Sequence, residues 1–271
     1  MTAAKQERLE LAELRQEPIS FSEQFHAEQC RLNHHSPEDF HRSQWQSELK
    51  SCGFLIYRWC LAAFFGSGLV TNIILYYYRG YWLIYLTNWG FVLCSLASIT
   101  GAIFVSIYHC NPERMMRRTC LIKCYWALYW TNLIVSNIIC ILYWILIFPR
   151  DRGTDNPMRL NTLNNIWTHA LPPFFFTIDH MVVAQPARIM HFIYPLGFSL
   201  AYVAFSCLYY LLGYRDPRGH VYIYPMLDYR KLGIAIRTIA LTTILLITCS
   251  ILQYGVYRLR VFIARKLNRL Q

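Results

Sequence analysis

The sequence has little charge for its length. Of 271 residues only 15% are charged, whereas 55% are hydrophobic. Soluble domains typically have about 25% charged residues, so this composition excludes an ordinary soluble protein and favours one embedded in lipid. The chain also lacks a Cys-x-x-Cys pair, a glycine-rich phosphate loop, an Asn-x-Ser/Thr sequon and a secretory signal in its first thirty residues. We therefore expect the first spanning helix to direct membrane insertion.

The charge that is present is unevenly distributed. Residues 1–50 hold six Lys and Arg against nine Asp and Glu, whereas residues 51–271 hold twenty against six. The net charge of +11 would suit a nucleic-acid partner, but most basic residues lie in short connections between apolar runs instead of on one face. We therefore expect no nucleic-acid partner and interpret the basic residues as topology signals.

Cysteine and histidine spacing does not indicate a metal or cofactor site. Most of the ten cysteines lie within apolar runs, where Cys behaves as a small buried side chain. Cys120 and Cys124 have the spacing closest to a metal pair, but no His or acid lies at ligand spacing. The eleven-residue intervals between His169, His180 and His191 are typical of haem-ligating helices, but the predicted topology places His180 and His191 at the cytoplasmic end and His169 near the other, which argues against haem. We expect no metal and no cofactor.

Six windows without Asp, Glu, Lys or Arg are long enough to cross a membrane. Each has at least nineteen residues, and about twenty helical residues cover the hydrocarbon core, whereas barrel strands are about half as long. The sequence therefore predicts an all-α, polytopic membrane protein with six transmembrane helices. The windows are 59–78, 80–112, 124–149, 160–178, 189–214 and 238–257.

The chain is predicted to have three regions. Residues 1–50 form an acidic, partly disordered cytoplasmic tail, residues 51–258 the transmembrane domain and residues 259–271 a basic C-terminal tail suited to an anionic leaflet. In the first tail, residues 9–14 are either a helix fragment or disordered, and the run from Ser36 to Asp39 is typical of a helix start. Six spans place both termini on one side, and twelve Lys and Arg near the membrane there against eight opposite favour the cytoplasm. The membrane is either the plasma membrane or an internal one.

Two windows carry polar residues that are costly in lipid. Thr87 lies six residues past Tyr81, roughly 9 Å along a helix, and His169 lies eight past Asn161, roughly 12 Å. Both helices start from the same side in a six-span topology, so the two side chains are predicted to share a depth. Each also has a simpler interpretation, since a threonine hydroxyl can bond its own backbone and an intramembrane histidine can join helices.

The fourth window predicts a bent helix with one polar face. Pro172 and Pro173 cannot donate hydrogen bonds to the carbonyls of Thr168 and His169, so we expect a bend there. Asp179 is ten residues from His169, roughly 15 Å, which is too far for a triad, and we expect it to pair with a basic residue such as Arg188. The stripe expected to face protein or a cavity contains Thr162, Asn165, His169, Pro173, Phe176 and His180.

The chemistry available to such a pair is ester cleavage. A neutral imidazole at His169 can take the proton of the Thr87 hydroxyl as it attacks an ester carbonyl, and can return it to the leaving alcohol. Asn88 and Asn165 are the candidates for stabilising the oxyanion, since each lies beside or one turn from a proposed catalytic residue.

Five segments together resemble the rolling stone family of multi-pass membrane proteins, which is named for an insect protein implicated in myoblast fusion. The resemblance covers about residues 40–258. It implies a membrane protein that acts, without catalysis, in cell-cell fusion. The segments are YRW before the first span, IYLTNWGF, WTHALPPFFFTIDH, FIYPLGFSLAYVAFS, and IYPMLD before the last span.

A more distant likeness is to the androgen-induced and androgen-dependent membrane proteins, which hydrolyse fatty-acid esters of hydroxy fatty acids with an intramembrane threonine and histidine. Their Leu-Thr pair falls on Leu86 and Thr87, and their histidine on His169, with an acid ten residues on at Asp179. The resemblance implies an intramembrane Thr87/His169 site for hydrolysis of a lipid ester. The partners expected are membrane lipids and such a substrate.

Overall fold

The computed structural model describes residues 19–151 and 160–269, with the backbone alone at Arg150 and Asp151. The predicted helix fragment at residues 9–14 lies outside these ranges. The described chain is a bundle of α-helices, so the all-α prediction is confirmed. The helices are α1 Cys52–Tyr76, α2 Leu86–Cys110, α3 Pro112–Met116, α4 Thr119–Leu142, α5 Phe148–Asp151, α6 Thr162–His169, α7 Leu171–Val182, α8 Ile193–Leu211 and α9 Leu232–Lys266.

Five of these helical segments are long and apolar enough to cross a membrane, which agrees with an integral, multi-pass protein. They contain α1, α2, α4, α8 and α9. The predicted count of six is not confirmed, because the fourth window is divided between α6 and α7. The division falls at Ala170, directly before Pro172 and Pro173, where the prolines remove backbone donors.

Short non-α segments shape the end of the bundle at which α2 and α6 begin. Gly80 has a φ of 84°, a left-handed conformation that favours glycine, and it turns the chain out of α1. A 3₁₀ helix at Tyr81–Ile84 follows and precedes α2. A π-helical turn at Tyr143–Ile147 continues α4, and such turns often occur at functional sites.

Asp179 is buried in an ion pair one turn before the end of α7. The Arg58 Nη1 donates to both carboxylate oxygens, at 2.8 and 2.9 Å, and the Tyr57 hydroxyl donates to Oδ1 at 2.8 Å. A second Arg58 nitrogen donates to the Tyr125 hydroxyl. The predicted pairing with Arg188 is therefore wrong, because helix α1 brings a buried arginine closer than any basic residue nearby in sequence.

Residues 19–50, which we call the N-terminal cap, pack on the end of the bundle where α7 ends. The Gln44 N–H donates to the Val182 carbonyl at 2.8 Å, and the Trp45 indole donates to the Met181 carbonyl at the same distance. Arg188 donates to two cap carbonyls. The helix start predicted at Ser36 is followed by a 3₁₀ helix, Pro37–His41.

Helix α9 continues through most of the segment predicted as a basic C-terminal tail. Its Arg260 is fully buried and donates to the carbonyls of His180 and Gln185, at 2.7 and 2.6 Å. This end of α9 therefore joins α7 and the chain that follows it.

Candidate active site

Thr87 lies in the first turn of α2. The depth count assumed a helix that was continuous from Tyr81, but Tyr85 is extended, with φ −89° and ψ 129°, and α2 begins only at Leu86. The premise of a 9 Å depth is therefore wrong. His169 is the last residue of α6, eight residues past its cap Asn161, as the sequence predicted.

The four predicted site residues line one cavity of about 470 Å³. Thr87 and Asn88 come from α2, while Asn165 and His169 come from α6. The π-helical turn and the loop between α8 and α9, residues 212–228, form other parts of the wall. The packing of α6 beside the start of α2 thus brings these side chains together. It does so although the depth comparison places the start of α2 at the wrong residue.

Most of the stripe predicted on the fourth window faces the protein. Asn165, His169, Pro173, Phe176 and His180 are buried, whereas Thr162, in the first turn of α6, is exposed. Beyond that first turn, the polar face of α6 and α7 therefore does not face lipid.

The His169 ring is held in one orientation and one tautomer. Its Nδ1 is 3.0 Å from the Asn165 carbonyl. Because a carbonyl can only accept, a neutral ring carries its proton on Nδ1, and Nε2 is left as an acceptor. Tyr143 of the π-helical turn stacks on the ring with centroids 3.4 Å apart. The imidazole is therefore arranged as a proton acceptor.

A chain of buried hydrogen bonds links the neighbours of Thr87 and His169. The Asn88 amide donates to the Trp82 carbonyl at 2.6 Å, and the Trp82 indole donates to Asn72 Oδ1 at 2.6 Å. The Asn72 amide nitrogen lies 3.4 Å from the hydroxyl of Thr168. Asn72 thus joins α1 to both sides of the site, a contact that the sequence analysis missed because it joins three separate segments.

Tyr224 is a second residue that the sequence analysis missed. It lies in the loop between α8 and α9 and lines the cavity beside Thr87. Burial raises the pKa of Tyr224 to about 12, although hydrogen bonding to the Thr87 hydroxyl and to the backbone N–H groups of Thr87 and Leu86 opposes the rise. The phenol is therefore protonated at neutral pH and can donate a hydrogen bond. Only its type, a tyrosine in an interfacial loop, was visible in the sequence.

The two predicted oxyanion donors differ in their contacts. Asn88 commits an amide hydrogen to Trp82 and retains a second one. Asn165 holds the imidazole through its backbone carbonyl, and its buried Oδ1 makes no hydrogen bond among the described residues. The first-turn N–H groups of α2 are already engaged, those of Leu86 and Thr87 by Tyr224 and that of Asn88 by the Tyr85 carbonyl.

In the part of the chain that the structure describes, no hydrogen bond joins the His169 imidazole directly to the Thr87 hydroxyl. The hydroxyl is beside Tyr224, and the Nδ1 side of the imidazole is engaged by α6. Catalytic hydrogen bonds in ligand-free sites are often long and tighten when substrate binds. The residues that line the cavity thus include a hydroxyl, an imidazole whose Nε2 can accept a proton, and hydrogen-bond donors.

Comparisons with known proteins give one consistent result. A family model described as "Protein rolling stone" matches residues 18–270. The Drosophila melanogaster protein rolling stone is 30% identical over 231 residues, which are 82% of this chain and 82% of that protein. No solved structure matches the chain. The chain therefore belongs to the rolling stone family of multi-pass membrane proteins.

Proposed function

We propose that this protein hydrolyses a lipid ester within the membrane, with Thr87 as nucleophile and His169 as general base. The observation that carries the proposal is that both residues line one cavity while the imidazole presents its unprotonated Nε2 as acceptor. The more distant resemblance to membrane hydrolases selects the same two residues independently.

The reaction follows from these groups. Nε2 of His169 takes the proton of the Thr87 hydroxyl as Oγ attacks the ester carbonyl carbon. The oxyanion accepts hydrogen bonds, for which Asn88, Asn165 and Tyr224 are the candidate donors. The imidazolium then protonates the departing alcohol, which leaves an acyl group on Thr87. A water molecule, deprotonated by the same Nε2, hydrolyses this acyl-threonine to a fatty acid and restores the hydroxyl.

The test is labelling of membranes with a fluorophosphonate probe, combined with hydrolysis of fatty-acid esters of hydroxy fatty acids. Thr87→Ala should abolish both, because the nucleophile is absent, whereas Thr87→Ser should retain them. His169→Ala should lower both by about 10² to 10⁴-fold, the usual contribution of a general base. The matched controls are Thr248→Ala on the outer face of α9 and His109→Ala at the far end of α2.

A wild-type protein that is neither labelled nor able to turn over an ester would contradict the hydrolase. If cell-cell fusion were also unchanged in Thr87→Ala and His169→Ala, the alternative of a non-enzymatic membrane protein acting in fusion would be supported instead.

A further inference from the structure

A second cavity, of about 100 Å³, adjoins the first between helices α4, α8 and α9. Its wall is almost entirely apolar. Engineered apolar cavities of about 150 Å³ stay dry and bind small apolar ligands, so this one is suited to hydrocarbon and not to water. The aliphatic side chains that form it include Val135, Ile139, Leu196, Val203, Ile239 and Leu246.

Thr87 lies where the two cavities meet. Thr87, Ile147, Tyr224 and Met226 line both cavities. An ester carbonyl has two arms, one from the acid and one from the alcohol. A carbonyl placed at Thr87 would therefore direct one arm into each cavity.

The apolar cavity lies close to the outer surface of α8 and α9. Leu200 of α8 lines the cavity and is also 50% exposed. On α9, Thr242 lines the cavity while its neighbour Leu241 is 67% exposed. In a bilayer these exposed leucines face hydrocarbon, because both helices are membrane spans by length and composition. A lipid chain can thus reach the cavity sideways, between the two helices.

The larger cavity differs in its polarity. Its wall includes the side chains of Asn165, Asp216 and Arg218. Polar groups on an otherwise apolar wall fix the orientation of a ligand that carries polar groups of its own. The two cavities therefore suit the two unlike arms of one ester.

We propose that the acyl chain of the substrate approaches from the bilayer between α8 and α9 and that its methylenes nearest the carbonyl lie in the apolar cavity, with the rest of the chain in the bilayer, while the alcohol occupies the larger cavity. This inference rests on the proposed function and adds to it the place that each arm of the ester occupies. The acyl group remains on Thr87 Oγ after the first step, and the alcohol leaves through the larger cavity with the proton from His169.

The experiment uses the full-length protein in phosphatidylcholine vesicles and a palmitic acid that carries a diazirine on a methylene near its carboxyl group and a terminal alkyne. Irradiation should label residues of α8 and α9 that line the apolar cavity, and excess unlabelled palmitic acid should compete. Thr242→Trp fills the cavity and should lower the competed labelling by about ten-fold. Leu241→Trp, on the outer face of the same turn, should leave it unchanged.

A second matched pair covers the case in which Thr242→Trp does not fold. Ser199→Phe places a ring in the cavity from α8, whereas Gly197→Phe points into open space, since nothing lies within 4 Å of its added Cβ. The inference would be overturned if the labelling that excess palmitic acid suppresses were equal for the two variants of each pair. It would also be overturned if that labelling were confined to helices other than α8 and α9.

Failure of this inference is distinguishable from failure of the proposed function. Thr87→Ala should lose ester hydrolysis and retain the competed labelling. A wild-type protein with the expected labelling but no hydrolysis would keep the chain site and contradict the hydrolase. One that hydrolyses the ester but is labelled equally in all variants would overturn the chain site alone.

Discussion

Gly101 of α2 shows how one missing side chain makes room for a buried charge. A Cβ added at this position would overlap the Arg58 guanidinium and would lie 2.6 Å from the Tyr125 hydroxyl. Arg58 is the partner of Asp179 and is only 1% exposed. A helix is usually less stable with glycine than with alanine at an interior position. At position 101, however, any larger residue displaces the ion pair of Arg58 and Asp179.

We therefore predict that Gly101→Ala destabilises the protein by about 3 to 5 kcal/mol, the usual cost of disrupting a buried ion pair. Thermal unfolding in detergent measures the effect. Gly197→Ala is the matched control, because its added Cβ meets nothing within 4 Å. Equal melting temperatures for the two variants would refute this explanation.

Asn72 acts on the site through other residues and is a positioning residue. We predict that Asn72→Leu lowers kcat for ester hydrolysis by about 10²-fold, since a displacement of about 1 Å at the chemistry has that effect. KM should change little, because Asn72 contacts Trp82 and Thr168 on either side of the catalytic pair. Asn137→Leu is the control, since the Asn137 amide bonds only the Leu133 carbonyl of its own helix in the described chain. A variant with wild-type kcat would show that this hydrogen-bond chain does not position the site.

At the scale of elements, the N-terminal cap contains a histidine, His41, that is buried in its neutral form. His41 is 2% exposed and stacks on Tyr108 with centroids 5.3 Å apart. Burial, and then the positive charge of Arg58, lower the pKa of His41 from 6.5 to about 4. Between these two values an unfolded cap binds a proton that the packed cap does not.

Packing of the cap should therefore weaken on acidification. The stability contributed by neutral His41 is present above pH 6.5 and is lost as the pH falls towards 4, by roughly 2 kcal/mol at pH 5. Hydrogen exchange of residues 36–45 between pH 7.5 and 5 measures it. His41→Phe keeps an aromatic ring and should remove most of the pH dependence. An unchanged pH dependence in that variant would assign the effect to another group.

At the scale of the whole molecule, the cap and the larger cavity, which Thr87 and His169 line, lie at opposite ends of the bundle. The cap contacts the end of α7, whereas the cavity lies at the start of α2 and beneath the loop of residues 212–228. The charge distribution of the sequence predicts that the cap end is cytoplasmic, so this loop should face the other side of the membrane.

Glycosylation mapping tests this orientation cleanly, because the chain has no sequon of its own. A flexible insert with a single Asn-x-Thr sequon after Gly219 should be glycosylated in microsomes, while the same insert after His35 in the cap should not. Glycosylation of the insert after His35 alone would show that the topology is the reverse of the predicted one. Glycosylation of both inserts would contradict any arrangement with the cap and the loop of residues 212–228 on opposite sides of the membrane.

The sequence by itself determined the helical membrane class and most of the features that belong to one segment. Long uncharged windows can satisfy their backbone in lipid only as helices, and this requirement is local. The bend near His169 follows from two prolines, and the buried stripe on α6 and α7 follows from helical periodicity. The pair of Thr87 and His169 was predicted from the depth count and from the distant likeness to the membrane hydrolases.

Only the tertiary structure decided which segments meet. Asp179 pairs with Arg58 and not with Arg188, because helix packing, and not nearness in sequence, sets the distance between buried charges. Tyr224 reaches the site from a loop far away in the chain, and Asn72 reaches it from the preceding helix α1. The start of α2 at Leu86 and the apolar cavity beside Thr87 likewise arise from packing among several helices, which no single stretch of sequence specifies.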